Sequence, residues 1–134
     1  MDQGGCHCGA IRYEASAPPE RNSMCHCTDC RRASGAPMVA WALYAAKDVR
    51  VIKGAPKVRA SSEHGRRHFC PDCGTGLFYT NDMIFRDQID VQSATLDDPD
   101  AIAAPSAQVQ VAERIGWLAE GLHSPEFKRY PGME

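Results

Sequence analysis

Three cysteines fall within six residues in Cys25-His26-Cys27-Thr28-Asp29-Cys30. Thiolates are soft, anionic ligands that favour zinc over harder cations. Three of them leave one corner of a tetrahedron free, as catalytic zinc sites do. Four further cysteines form two pairs, Cys6-His7-Cys8 and Cys70-Pro71-Asp72-Cys73, each followed directly by glycine. Glycine lets the backbone turn so that amides face the sulfurs. Four thiolates from two such knuckles close a tetrahedral site and leave no exchangeable position. The spacing therefore predicts two zinc ions per chain. Cys6, Cys8, Cys70 and Cys73 hold one that contributes folding energy, and Cys25, Cys27 and Cys30 hold one that is open.

The chemistry suited to the open site follows from its donors. Three thiolates already give charge to the metal, so such a zinc acidifies water less than a three-histidine site does. It is better matched to another soft ligand, a substrate thiol kept as the nucleophilic thiolate. Two other readings compete. A fourth protein ligand, with His26, His64 and His68 as candidates, would close the site and make it structural. A metal-free redox cluster would use the same thiols. For the knuckle pairs the alternative is four unligated buried thiols.

Composition narrows the setting. Seven cysteines cannot all pair as disulfides within one chain. The N-terminal Met1-Asp2-Gln3-Gly4-Gly5-Cys6 has neither a basic region nor an apolar signal segment. The chain is accordingly expected to be cytoplasmic, where thiols stay reduced. Its longest apolar run, residues 37–46, is too short to span a bilayer. A net charge of −2 supplies no field for nucleic acid or anionic lipid, so neither is an expected partner. A length of 134 residues suits one domain, 1–134. Nothing in these features fixes oligomeric state.

The positioning elements are short strands. Cys25 and Cys27 share strand parity and Cys30 does not, so a strand must end in a turn there. Residues 10–15 and 21–24 read as strands, and 31–35 as a helical turn closed by Gly35. Residues 38–46 read as a buried strand. Val49, Val51 and Val58 mark two more around the turn Lys53-Gly54-Ala55-Pro56. Residues 66–69 lead into the second knuckle, and Leu77, Phe78 and Tyr79 leave it as a strand. Residues 86–94 alternate, with Ile89 and Val91 expected inward and charged or amide residues outward. Residues 97–102 begin a short helix. Residues 108–112 form a last strand with Val109 and Val111 on one face, and the tail packs loosely on Phe127 and Tyr130. The expected class is mainly β with little helix.

Three blocks carry a family resemblance. They are Gly5-Cys6-His7-Cys8-Gly9-Ala10-Ile11-Arg12-Tyr13-Glu14, then Cys25-His26-Cys27-Thr28-Asp29-Cys30-Arg31-Arg32-Ala33-Ser34-Gly35-Ala36, then Phe69-Cys70-Pro71-Asp72-Cys73-Gly74-Thr75-Gly76-Leu77. In order and spacing they resemble the glutathione-dependent formaldehyde-activating enzymes, the centromere-protein-V-like or S-(hydroxymethyl)glutathione synthase-like family. Thr95-Leu96-Asp97-Asp98-Pro99 and the tail with Trp117, Phe127 and Pro131 fit more loosely. The resemblance implies a β-tent fold of several coiled antiparallel sheets around zinc. It implies a structural zinc on Cys6, Cys8, Cys70 and Cys73 and a catalytic zinc on Cys25, Cys27 and Cys30. It also implies carbon–sulfur lyase chemistry, with glutathione and formaldehyde as thiol and aldehyde. One position departs: Gln108 stands where many members carry a histidine, and an amide does not shuttle protons as imidazole does.

The expected reaction brings a small thiol to the Cys25, Cys27 and Cys30 zinc and forms a bond from its sulfur to an aldehyde carbon, or runs in reverse. Arg31 and Arg32 are candidates to grip carboxylates of a glutathione-like ligand, against the plainer reading of solvated surface arginines. Arg12 and Arg66 are weaker candidates. Trp41 and Trp117 are candidate pocket walls, with core packing the plainer reading. His26 is a candidate proton donor, against a supporting role beside the ligands. Asp29 and Asp72 read as turn residues rather than acids. A different class also fits: a zinc-stabilised protein-binding module without catalysis.

Overall fold

Every second side chain of the strand Val39–Ala45 points the same way, yet both of its faces are covered. Ala42 and Tyr44 join one core with Tyr13, Phe78 and Val91, while Val39 and Trp41 pack with Cys25 and Cys30. Double burial explains why this run has no polar face. The computed structural model describes residues 1–133. Its strands are β1 (Asp2–Gly5), β2 (Arg12–Ala15), β3 (Arg21–Cys25), β4 (Val39–Ala45), β5 (Val49–Lys53), β6 (Lys57–Ala60), β7 (Gly65–Phe69), β8 (Gly76–Asn81), β9 (Gln88–Gln92) and β10 (Ala107–Val109). The helices are α1 (Thr28–Ser34) and α2 (Leu118–Gly121), with short 3-10 turns between strands. The chain is mainly β with little helix, as expected.

Two sheets form. One has the order β1-β2-β5 and the other β10-β3-β4-β9-β8-β7-β6. Pairing is antiparallel except between β10 and β3, which run parallel. The small sheet lays Tyr13 and Ala15 against Tyr44, Phe78 and Val91 of the large one. The Tyr13 and Phe78 rings meet edge to face at 5.1 Å, and the buried Tyr13 hydroxyl hydrogen-bonds the Thr95 hydroxyl at 2.7 Å. The opposite face of the large sheet carries the second core around Cys25, Cys30 and Trp41.

The structure refines several local expectations. The two strands expected around Lys53-Gly54-Ala55-Pro56 form as β5 and β6, and they enter different sheets: β5 pairs with β2, and β6 with β7. In β9, Val91 and Ile89 pack on the first core as expected, but Asp90 does not face solvent; it is 9% exposed. Alternation revealed the two faces, but the second face is roofed. The last strand stops at Val109, because Gln110 adopts φ 57 and Val111–Glu113 is a 3-10 turn. Val109 and Val111 are both exposed. The helix start at residues 97–102 is a single 3-10 turn, Pro99–Ala101, capped by Asp98. In the tail Trp117, Phe127 and Tyr130 are exposed, so Trp117 is not packed into the core as its plainer reading expected. No helix among the described residues is long and apolar enough to cross a membrane.

Candidate metal centres

The two knuckles repeat one local design. The Cys6 amide donates to the Ile11 carbonyl at 3.1 Å and the Gly9 amide to the Cys6 carbonyl at 3.1 Å. The Cys70 amide likewise donates to Thr75 at 3.0 Å and the Gly74 amide to Cys70 at 2.8 Å. Gly9 and Gly74 adopt φ 79 and φ 82, a region closed to most side chains. The resulting turns aim amides at sulfur: Ile11 N donates to Cys6 Sγ at 3.2 Å and Cys73 N to Cys70 Sγ at 3.5 Å. The four sulfurs lie within 4.8 Å of one another. Cys8 Sγ is 3.6 Å from Cys6 Sγ and 3.8 Å from Cys70 Sγ. A tetrahedron with Zn–S bonds of 2.3 Å has edges of about 3.8 Å, so the donor set fits zinc. The Thr75 hydroxyl, 3.2 Å from Cys73 Sγ, helps hold that thiol down to about 5, which favours the ligating thiolate.

The three-cysteine group is assembled where β3 gives way to α1. Cys25 ends the strand, Cys27 is the residue before the helix, and Cys30 lies in its first turn. Cys27 Sγ accepts the Cys30 amide at 3.2 Å, so the thiol also caps the helix. Gly35 closes the helix in the left-handed conformation, as its position after residues 31–34 predicts. The break in strand parity is resolved as anticipated, and the three sulfurs converge within 4.8 Å. Among the described residues no fourth histidine, cysteine or carboxylate joins them. Hydrogen bonding from Cys25 and Cys27, helped by Trp41 and Arg67, brings the Cys30 thiol down to about 5 against the opposing effect of burial. Arg67 Nη2 stands 3.8 Å from Cys30 Sγ.

None of the three candidate histidines closes this group. His26 is fully buried, and its Nε2 lies 2.8 Å from Gln108 Oε1. That oxygen also accepts from Arg114 Nη2, so His26 Nε2 is assigned as a donor. His64 pairs with Asp82 at 3.0 Å, and His68 Nε2 hydrogen-bonds the Thr80 hydroxyl at 3.1 Å. Gln108 thus secures His26 rather than facing the thiols.

The three sulfurs open into a cavity of about 320 Å³. Its floor is formed by Arg21, Asp90, Tyr79 and Arg67, which cross-strand registration through Leu43 aligns on one face of the large sheet. Trp41, one pair further along β4, and Phe85 complete the walls. Arg67 lies over the Tyr79 ring at 5.1 Å and Arg21 over Phe85 at 5.7 Å.

Sequence candidates divide accordingly. Trp41 is buried and also lines the cavity, so both readings of it hold. Arg31 and Arg32 are not among the lining residues. Helix α1 turns Cys30 inward, and the next two side chains point about 100° and 200° away from it. Arg12 is engaged by Asp97, and Arg66 by the carbonyls of Ser62, Glu63 and Gly65. Asp29 reaches the cavity rim and Asp72 is exposed on its knuckle. The cavity arginines are Arg21 and Arg67, which sequence reasoning passed over. The available signal was period-two pairing of their strands.

The sequence pattern of the glutathione-dependent formaldehyde-activating enzymes matches residues 1–113. None of the curated proteins matches this chain. Among solved structures, that of a Rhodobacter sphaeroides protein, a structural genomics target, covers 80% of this chain and 99% of its own. Its TM-score is 0.64 at 24% identity, a likeness of fold. With its family pattern running through both cysteine groups, the chain belongs to the glutathione-dependent formaldehyde-activating enzyme family.

Proposed function

We propose that the protein is a zinc-dependent carbon–sulfur lyase-type enzyme. It joins a small, glutathione-like thiol to an aldehyde such as formaldehyde, or releases the two in reverse. One contrast carries this reading: the three-thiol group opens into a walled cavity with a free corner, and the four-thiol group does not. Cys6, Cys8, Cys70 and Cys73 are the structural ligands in this reading, and Cys25, Cys27 and Cys30 the catalytic ones. Zinc on Cys25, Cys27 and Cys30 would accept a substrate sulfur and keep it in the nucleophilic thiolate form.

The chain's own residues supply the remainder. Trp41 and Tyr79 form an apolar wall that limits water around the reacting sulfur. Arg21 and Arg67 present guanidinium groups suited to a substrate carboxylate, the task first expected of Arg31 and Arg32. Arg67 also offsets negative charge on Cys30. All seven thiols are free, which goes with a reducing compartment such as the cytoplasm.

Zinc-loaded protein, glutathione and formaldehyde can be followed by exchange NMR against a Cys27→Ser control. Because the reactants also combine unaided, the control sets the baseline. Interconversion clearly faster with wild type than with the control is expected, because a positioned thiolate meets the aldehyde as one bound pair. Equal rates in the two samples would remove the assignment.

A further inference from the structure

The cavity needs a group that can move a proton. Forming a carbon–sulfur bond from a thiol and an aldehyde transfers one from sulfur to oxygen. No histidine lines the cavity: His26, His64 and His68 are engaged elsewhere, and His7 and His123 are exposed. Two of the three lining carboxylates are poorly suited. Asp29 is exposed, and exposed Glu113 accepts the Thr28 amide at 3.2 Å. Asp90 differs on each count. It is 9% exposed, it sits in the cross-strand row of the floor, and its carboxylate has no hydrogen-bond or salt-bridge partner among the described residues. A buried carboxylate without a partner is costly, and this one faces the space a substrate would fill.

We propose that Asp90 is the acid–base residue of the cavity, carrying the proton between the thiol sulfur and the carbonyl oxygen. The assignment rests on the thiol–aldehyde reading above. In the forward direction the Asp90 carboxylate takes the thiol proton. A sulfur lone pair forms the C–S bond, the C=O π pair moves onto oxygen, and Asp90 returns the proton there. The product is the thiohemiacetal; no oxidant, reductant or third reactant is needed. In reverse Asp90 takes the hydroxyl proton as the C–S bond breaks and delivers it to sulfur. Arg21, two strands away in the same row, offers the developing oxyanion a positive charge.

The charged and titratable surroundings are Arg21 and Cys25 from β3, Cys27 and Cys30 at the start of α1, Arg67 from β7 and Tyr79 from β8, with Asp29 and Glu113 at the rim. Burial pushes the Asp90 carboxyl up to about 6, with Cys30 adding to the rise and Arg21 opposing it. Both protonation forms are then well populated close to neutral pH, the condition in which one group serves as acid and base.

The test compares wild type, Asp90→Asn and Cys27→Ser, each zinc-loaded, in the exchange assay from pH 5 to 8, with zinc content measured in every sample. Asp90→Asn is expected to lower the protein-dependent rate by about a hundredfold or more and to abolish an inflection near pH 6. Zinc content and glutathione affinity should stay at wild-type levels. Wild-type rate and inflection in Asp90→Asn, with Cys27→Ser inactive, would overturn Asp90 alone. A Cys27→Ser sample as fast as wild type would overturn the thiol–aldehyde reading and Asp90 with it. Should Asp90→Asn fail to fold, infrared titration of wild type decides. A protonated-carboxyl band that fades near pH 6 and shifts when glutathione is added supports the proposal; no such band, or one indifferent to glutathione, overturns it.

Discussion

The two cysteine groups share local design and differ in reach. Cys8 and Cys70, 62 positions apart, bring their sulfurs to 3.8 Å, so the four-thiol group joins the start of the chain to the turn between β7 and β8. Cys25, Cys27 and Cys30 come from one strand end and one helix turn. Closing a long loop removes more unfolded-state freedom than closing a short one. A metal on the first group therefore does more for the fold. A metal on the second constrains a segment already held by β3, by the Cys27 cap and by Gly35. Surroundings follow the same division: Cys8 and Cys73 stand in solvent, whereas all three thiols of the second group share a cavity. Long reach goes with stability, and a walled cavity with chemistry.

The sharpest way to break this contrast is to remove one ligand from each group. Cys70→Ser should cost more than about 3 kcal/mol, because metal affinity at a cross-linking site is folding free energy. A melting temperature lower by at least about 10 °C is expected from thermal circular dichroism. Cys27→Ser should cost about 1 kcal/mol or less, because serine retains the helix cap and the metal lost there closes only a short segment. Equal shifts in the two variants would contradict the division.

The cavity face should also show the cost of holding an acid there. A carboxyl raised by burial favours the fold in its neutral form. Its contribution is complete below the ordinary aspartate range and declines as pH rises through about 6. Asp90→Asn, which cannot charge, should therefore gain on wild type as pH rises from 5 to 8. The gain over this window should be on the order of 1–1.5 kcal/mol, since each tenfold change in proton affinity is worth about 1.4 kcal/mol and roughly one pH unit of the titration, from 5 to about 6, lies inside it. Paired denaturant melts at pH 5 and pH 8 measure it, and a pH-independent difference would remove the strain. Higher stability with lower exchange activity would mark Asp90 as retained for chemistry.

Much of this was legible in the chain because thiol spacing is a local property. The knuckles, the Gly35 stop and β4 depend on neighbours within a few residues, and each forms where the pattern puts it. What stayed hidden depends on partners far along the chain. Residues 86–94 alternate plainly, yet alternation does not say whether the polar side of β9 meets open water or the walled cavity beside the three thiols. Arg21 and Arg67 face the thiols only through registration across β3, β4, β9, β8 and β7. The turn at Lys53-Gly54-Ala55-Pro56 is visible, but not that its two strands enter different sheets. Gln108 was read by its chemistry, and only the structure shows it turned to His26.

A smaller effect separates the groups by their surroundings. Arg67 touches Cys30 of the three-thiol group and nothing in the four-thiol group. Groups behind metal ligands typically adjust metal affinity by 10–100-fold. Arg67→Gln should weaken zinc at the three-thiol site by about that factor, roughly 1.4–2.7 kcal/mol, and leave the other site unchanged. Stepwise zinc release to a graded set of chelators reads both sites in one sample. Equal weakening of both would mean that Arg67 acts through the fold.

The smallest effect lies beside the first knuckle, where an aspartate moves in the opposite direction to Asp90. Arg12 Nη1 donates to Asp97 Oδ1 at 2.9 Å, fastening the segment after β9 to β2. Hydrogen bonding from Arg12 holds the Asp97 carboxyl below its usual range. A lowered carboxyl stabilises the fold above the ordinary aspartate value and loses that contribution as pH falls through its folded value. Both side chains are partly solvated, 30% and 54% exposed, so solvent screens the pair. A double-mutant cycle of Arg12→Gln and Asp97→Asn should give a coupling of about 0.2–1 kcal/mol at pH 7. The coupling should shrink below about pH 4 and in about 1 M salt, where the screening length is only a few ångströms. Asp90 shows the reverse dependence because no partner within bonding distance among the described residues compensates its burial. A coupling that grew on acidification would mean that both aspartates respond to burial alone, and the two sides of the large sheet would no longer differ in how they hold charge.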